Sequence, residues 1–473
     1  MKQESGTTAL SQSVKFDAAL IRRYDVAGPR YTSYPTAVQF HEGFDAGQYR
    51  LYVAASNDEL IPAPLSLYVH LPFCHSLCYY CGCNKKVTRK TSHGVDYLQR
   101  LEREIALQAA LFDSDREVSQ LHFGGGTPTF FDDEQLQHLM TGLQSGFSLD
   151  HSDQREFSIE IDPRTVDQGR LETLAGLGFN RISLGIQDID PEVQKAVNRV
   201  QDPEMALQLV DQARQLGFNS VSIDLIYGLP KQTVASFERT IARTLQARPD
   251  RLAIYNYAHL PHVFRAQRMI NEADLPSAET RLQLLELSIS SLTSGGYRYI
   301  GMDHFALPGD ELSQAQDNGK LQRNFQGYST RPECDLVGLG VSAIGKIGDC
   351  YAQNLKEIPR WSAALDKPEL PIWRGLSLGR EDLLRRAIIE AIMCQGRIEF
   401  AAIENRFEID FNDYFAVELH RLQRHQQDGL VEINEDELQV TPTGRLLLRH
   451  IAMAFDEYLP SHAGSQGRFS RVI

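Results

Sequence analysis

Residues 66–83 read SLYVHLPFCHSLCYYCGC, a strand-length apolar run that opens directly into four cysteines. The run follows the Pro-rich step Ile61-Pro62-Ala63-Pro64 and is dense in residues that favour extended backbone, so 66–73 reads as a buried strand. Five comparable runs follow at 119–126, 157–162, 181–187, 220–228 and 251–259. Helical patterns fill the gaps. Tyr97 to Phe112 places Leu98, Leu101, Ile105 and Phe112 near one face, and Thr280 to Ser294 does the same with Leu282, Leu285, Ile289 and Leu292. Strands alternating with helices imply a parallel sheet with helical crossovers. The six units predict an α/β fold, a partial, open (β/α)6 TIM-like barrel with its chemistry at the C-terminal ends of the strands.

Those ends carry the distinctive residues. The cysteine loop follows the first run, Gly124-Gly125-Gly126-Thr127 ends the second, Glu160 and Asp162 the third, and Gln187 the fourth. Asp224 lies in the fifth run, and Ala258-His259 close the sixth. Glycines without Cβ let a ligand approach the backbone, where N–H groups and the Thr127 hydroxyl can hold a polar head group. Glu160 and Asp224 are acceptors for an ammonium or for ribose hydroxyls, and Gln187 offers a donor and an acceptor.

The cysteines Cys74, Cys78, Cys81 and Cys83 form a soft donor set that suits zinc, Cu(I) or an iron–sulfur cluster. Structural zinc sites pair such cysteines with a second Cys or His pair downstream, and none follows at that distance. Cys334, Cys350 and Cys394 are scattered singly and read as buried hydrophobes.

Composition narrows the function classes. The chain has 473 residues, 42% hydrophobic and 23% charged, ordinary usage for a large globular core. A net charge of −14 argues against a general nucleic-acid binder, whose affinity rests on a basic face. The N-terminal MKQESGTTALSQSVKFD has no apolar signal region, and no long uncharged apolar run occurs, so no membrane span and a cytoplasmic location are expected. Seven cysteines, an odd number, fit a reducing compartment.

Three regions are expected: an N-terminal arm (1–60), the barrel with its extension (61–370), and a small C-terminal helical domain (371–473). In the last, helical patterns at Glu381–Cys394, Ala401–Phe407 and Tyr414–His425 precede two short strands, 430–433 and 438–440, around the turn NEDE. That order resembles a winged helix. Glu432, Glu435, Asp436 and Glu437 make the wing acidic, which argues for a lid or packing role over phosphate contact.

C-x3-C-x2-C is similar to the pattern of radical S-adenosylmethionine enzymes, in which three cysteines hold a [4Fe–4S] cluster and leave one iron open for the cofactor. Further markers are RYTSYPT (30–36), LHFGGGTPT (121–129), IDLIYGLPKQT (223–233), NYAHLP (256–261), GMDHFA (301–306), NFQGY (324–328), GLGVSAI (338–344) and a terminal FSRVI. Together they resemble the family of oxygen-independent coproporphyrinogen III oxidases almost end to end. The resemblance implies a cluster on Cys74, Cys78 and Cys81, with Cys83 a family marker without a ligand role. It implies two S-adenosylmethionine molecules, the first contacted by Tyr68, Gly125, Glu160 and Ile344. The second would meet Tyr80, Gly126, Thr127, Gln187, Arg199, Asp224 and Ala258; Tyr80 departs from the Phe familiar there. A low-potential donor such as flavodoxin or ferredoxin would supply electrons to a monomer that decarboxylates two propionates of coproporphyrinogen III. Arg30, Arg164 and Arg199 are candidates for holding propionates, since arginine forks match carboxylates. A haem-binding chaperone of the same superfamily and a radical S-adenosylmethionine methyltransferase are the alternative readings.

Overall fold

Each of the six apolar runs forms a strand: β1 Leu65–Leu71, β2 Glu117–Gly125, β3 Glu156–Ile161, β4 Arg181–Gln187, β5 Ser220–Tyr227 and β6 Arg251–Asn256. The computed structural model describes residues 14–459, so the terminal FSRVI marker lies outside the described residues. The six strands pair in parallel and in chain order, with Val69 opposite Phe123 and Ile159 opposite Ile182. Successive side chains of a strand point to opposite faces. Phe157, Ile159 and Ile161 of β3 are therefore buried together, whereas Ser158 and Glu160 share the other face with His122 of β2 and Ser183 of β4. The apolar face lies under the helices and the polar face lines the barrel interior.

Most of the covering helices start where a side chain caps them, the helix Ser92–Ala109 being an exception. Asp132 and Gln135 form a reciprocal capping box that opens the helix Asp133–Gly146, whose Leu136, Leu139, Met140 and Leu143 are buried. The helix expected from Tyr97 runs from Ser92 to Ala109, and the one expected from Thr280 runs from Ala278 to Ser294.

The sheet continues beyond the six strands. β7 Arg298–Gly301 and β8 His304–Ala306 extend it past β6, and β9 Asp335–Leu339, β10 Ile344–Ile347, β11 Cys350–Asn354 and β12 Ile372–Ser377 extend it past β1. β9 is parallel to β1, and the other additions are antiparallel to their neighbours. The two ends of the order, β7 and β12, do not pair, so the barrel is open. β12 reaches past the division expected at residue 370, because Ala352 pairs with Gly375 and Tyr351 with Leu376.

Residues 14–60 are more than an arm. A helix, Ala46–Asn57, sends Tyr49 and Val53 into the main core beside Phe44. Tyr31 and Tyr34 of RYTSYPT are buried against Ile388, Ile451 and Phe455 of the C-terminal region. That region contains helices Arg380–Glu390, Phe400–Phe407 and Ala416–Gln427 and a three-stranded sheet, β13 Arg397–Glu399, β14 Val431–Ile433 and β15 Glu437–Val440. β13 is an addition to the two strands expected. Among the described residues no helix is long and apolar enough to cross a membrane.

Candidate functional site

The loop after β1 is fixed from three sides. Phe73 and Cys74 pair in parallel with Lys86 and Val87, Tyr79 N–H donates to the Val197 carbonyl at 3.0 Å, and Asn198 Nδ2 donates to the Leu77 carbonyl at 2.8 Å. Cys81 N–H donates to the Cys78 carbonyl, which turns the chain so that the thiols face one space. Cys74 and Cys78 are buried, Cys81 is partly buried and Cys83 is exposed.

The glycine turn of β2 closes on the same loop. Gly126 N–H donates to the Leu71 carbonyl at 2.9 Å and Thr127 N–H to the Phe73 carbonyl at 2.8 Å. Thr127 Oγ1 donates to Cys74 Sγ at 3.5 Å. A Cβ on Gly126 would meet backbone atoms of Pro72 and Phe73 at 2.7 Å, so the turn needs glycine there.

Two guanidiniums stand behind Cys78. Arg199 Nη1 lies 3.5 Å and Arg164 Nη2 3.7 Å from its sulfur, and both bind Asp162, at 3.1 and 2.6 Å. Burial pushes the Asp162 carboxyl up, but the hydrogen bonds from Arg164 and the charge of Arg199 outweigh it and hold the group below the usual range. Arg164 is thus committed to Asp162 and the cysteine loop, which corrects its expected place on a substrate propionate.

Glu160 accepts from Gly125 N–H at 3.0 Å and faces His122 Nε2 at 3.4 Å. Burial opposes its ionisation, yet His122 and the Gly125 amide bring its carboxyl below the ordinary value. Asp224 is less compensated: burial and the nearby Glu160 charge outweigh the Ser183 Oγ hydrogen bond at 3.3 Å and the Arg199 charge and push it up to about 7. The neighbouring Cys83 thiol and the Lys85 charge hold the Cys81 thiol below its ordinary value, against the effect of burial.

A cavity of about 400 Å³ gathers Cys74, Cys78, Cys81, Tyr80, Gly125, Gly126, Thr127, Glu160, Gln187, Arg199 and Asp224 on its wall, together with Cys83. Three expected residues are not on that wall. Tyr68 lies behind it, stacked on His122 with centroids 5.8 Å apart and bonded to His70 at 3.0 Å. Ile344 begins β10 with its backbone against Gly338, and Ala258 faces a neighbouring, larger cavity.

The donor set fits a cluster. Three thiols surround a space large enough for several metal atoms, with donors aimed at two of the sulfurs, and Arg199 Nε is buried without a partner. No three His, Cys, Asp or Glu among the described residues converge on the point a single ion would need.

Sequence reasoning missed Lys85, Asn198, His122 and Gln267. Lys85 donates to the Cys81 carbonyl at 3.1 Å, and its place two residues after Cys83 was a usable signal. Gln267 Nε2 bridges the carbonyls of Tyr80 and Ala258, each at 3.1 Å, and nothing in the surrounding pattern marks it.

The family model described as Radical SAM superfamily matches residues 68–244, and that described as HemN C-terminal domain matches residues 378–447. An oxygen-independent coproporphyrinogen III oxidase of Pseudomonas aeruginosa is 51% identical over 461 residues, 98% of this chain and 99% of the relative. One from Escherichia coli is 50% identical over 462 residues, with the same coverage, and one from Synechocystis is 44% identical over 470 residues, 98% of this chain and 100% of the relative. The solved structure of coproporphyrinogen III oxidase (HemN) from Escherichia coli, described as a Radical SAM enzyme, superposes with a TM-score of 0.90 at 49% identity. It covers 94% of this chain and 100% of that one.

Proposed function

The chain belongs to the family of oxygen-independent coproporphyrinogen III oxidases, and on that premise we propose that its cysteine-lined cavity holds a [4Fe–4S] cluster and two molecules of S-adenosylmethionine. It is an oxidoreductase of haem biosynthesis that converts two propionates of coproporphyrinogen III to vinyl groups, giving protoporphyrinogen IX. The observation that carries the site assignment is the convergence of three thiols and the polar strand-end residues on one cavity.

When bound, the cluster and S-adenosylmethionine supply the radical chemistry that takes hydrogen from the substrate propionates. The chain's own residues hold and shield them. Cys74, Cys78 and Cys81 are the cluster ligands, and Arg199 and Arg164 balance negative charge at Cys78. Glu160, kept ionised, and the Gly125 backbone would hold polar groups of the first S-adenosylmethionine, with Tyr68 and Ile344 nearby. Tyr80, Gly126, Thr127, Gln187, Arg199 and Asp224 would hold the second, together with Ala258, whose carbonyl Gln267 ties to that of Tyr80.

Electrons come from a low-potential carrier such as flavodoxin or ferredoxin, and the enzyme works as a cytoplasmic monomer. Lys86, Arg89 and Lys90 support such a partner: three exposed cations in five residues of an acidic chain, on and just after the short strand paired with Phe73 and Cys74. An acidic carrier would be steered to that strand.

The test is anaerobic. Reconstituted protein, dithionite, S-adenosylmethionine and coproporphyrinogen III should yield protoporphyrinogen IX and deoxyadenosine. Cofactor cleavage with no vinyl product would refute the substrate, and tight haem binding without cleavage would favour a chaperone.

A further inference from the structure

A second cavity, of about 590 Å³, opens where β5 and β6 end, at Tyr227 and Asn256. Its walls come from three distant parts of the chain: the N-terminal helix Ala18–Tyr24 with Arg30, the helix Ala278–Ser294, and the C-terminal stretch Arg445–Arg449. The size suits an organic ligand, for which sites of roughly 300–1,000 Å³ are usual.

Its charges do not balance within the protein. Five arginines face the cavity against three carboxylates, Asp25, Glu279 and Asp303. Arg22 pairs with Glu279 and Arg30 with Asp303. Arg281 and Arg445 have no carboxylate partner among the described residues. Arg445 donates only to the carbonyls of Tyr299 and Ile300, at 3.2 and 3.0 Å, although it is 5% exposed. The Nε atoms of Arg281 and Arg445 and Oδ1 of Asn256 are buried with no hydrogen-bond partner among the described residues. Burial without a counter-charge pulls the Arg445 guanidinium below its ordinary value.

Buried cations of this kind are costly unless an anion meets them. Between them the wall is apolar, formed by Leu282, Leu285, Leu446 and Leu448 and the rings of Tyr227 and Tyr299. Gly228 makes room for the stem of Arg281, whose Cδ would lie 3.3 Å from any Cβ there. Arginine forks around an apolar floor match an amphipathic ring that carries carboxylates at its edge.

We infer that this cavity binds the tetrapyrrole substrate, with Arg281 and Arg445 each receiving one of its carboxylates. The inference rests on the function proposed above and adds the site and the recognising residues. Arg30, expected to hold a propionate, lies on the same wall with its charge already answered by Asp303. The ring enters beside Ala258, so its reacting edge faces the cysteine-lined cavity across the Tyr80–Gln267–Ala258 bridge.

The probe is coproporphyrin III, a stable tetracarboxylate, added to the full-length reconstituted protein and followed by fluorescence. Arg281→Gln should raise its Kd at least about tenfold, the loss expected for one charge-assisted hydrogen bond, whereas Arg281→Lys should recover most of the affinity. Leu285→Trp, which fills the cavity, should weaken coproporphyrin III and its uncharged tetramethyl ester alike, whereas Arg281→Gln should leave the ester unaffected. Iron content and melting temperature at wild-type values show that each variant folds. Wild-type Kd in both Arg281→Gln and Leu285→Trp overturns the inference. Absence of vinyl product from the wild-type enzyme would instead overturn the function it rests on.

Discussion

Gly126→Ala should empty the cluster site without touching a cysteine. The added Cβ would lie 2.7 Å from the Phe73 carbonyl oxygen and the Pro72 carbonyl carbon and 2.8 Å from the Phe73 nitrogen. All three are backbone, so no side chain can rotate away. Ordinary contact begins near 3.4 Å, and the two backbones must part by about 0.7 Å to restore it. They are joined there by Gly126 N–H to Leu71 and Thr127 N–H to Phe73, at 2.9 and 2.8 Å, and Cys74 follows immediately. Overpacking at such a site costs about 1–3 kcal/mol, and the displacement falls on the strand that carries the first thiol. Gly142→Ala is the matched control. In the helix Asp133–Gly146 its Cβ would meet only Glu102 Cγ, at 3.8 Å, and replacing a helical glycine should stabilise by up to about 1 kcal/mol. Thermal melting and iron per chain after anaerobic reconstitution read both effects. Gly126→Ala should lose iron and melt lower, and Gly142→Ala should keep iron and melt no lower than wild type. A Gly126→Ala protein with full iron content and unchanged melting would refute the reasoning.

Replacing Cys74, Cys78 or Cys81 by Ser should abolish cluster absorbance, whereas Cys83→Ser should retain it; iron lost from the Cys83 variant would make that residue a ligand. Because the Asp224 carboxyl is raised to about 7, the stability it contributes below its unfolded value near 3.8 is lost as pH climbs to about 7. Asp224→Asn should therefore gain on the wild type across that window in denaturant melts at fixed pH values, and parallel pH curves would refute the shift. Reversing Lys86, Arg89 and Lys90 to Glu should raise the KM for an acidic electron carrier about tenfold and flatten its salt dependence, while dithionite-driven cofactor cleavage stays unchanged.

What the sequence made legible follows the range of the interaction. The bounds of β1 to β6 agree with the apolar runs to within three residues, because each strand writes its burial into its own residues: β3 alternates strictly, while β1 is buried on both faces and reads as a continuous run. β10 and β11 carry no such signature: four or five residues long, they gain their order from β12, which arrives after a helix. The RYTSYPT segment is the clearest long-range case. Tyr31 Oη donates to Asp456 at 2.8 Å and Tyr351 Oη donates to the Tyr34 carbonyl at 3.2 Å, partners hundreds of residues away that no local pattern announces. Arg164 is the converse. Its partner Asp162 stands two residues before it, and the Asp-Pro-Arg spacing carried the information that its type alone obscured.

The two cavities differ in the same way. Most residues around the thiols sit on or just beyond a strand whose position was readable, so alignment of the strands gathered them; Arg199, past the helix Pro191–Ala196, is the exception that only the resemblance supplied. The arginine cavity is assembled from residues 21–30, 278–285 and 445–449, and it exists only once the N-terminal helix and the C-terminal region close over the ends of β5 and β6. Tyr24 Oη and Arg23 bind Asp428 there, and buried Tyr24 packs with Leu430 and Leu447. These contacts hold the two terminal regions together beside the arginine cavity, whose wall both of them complete.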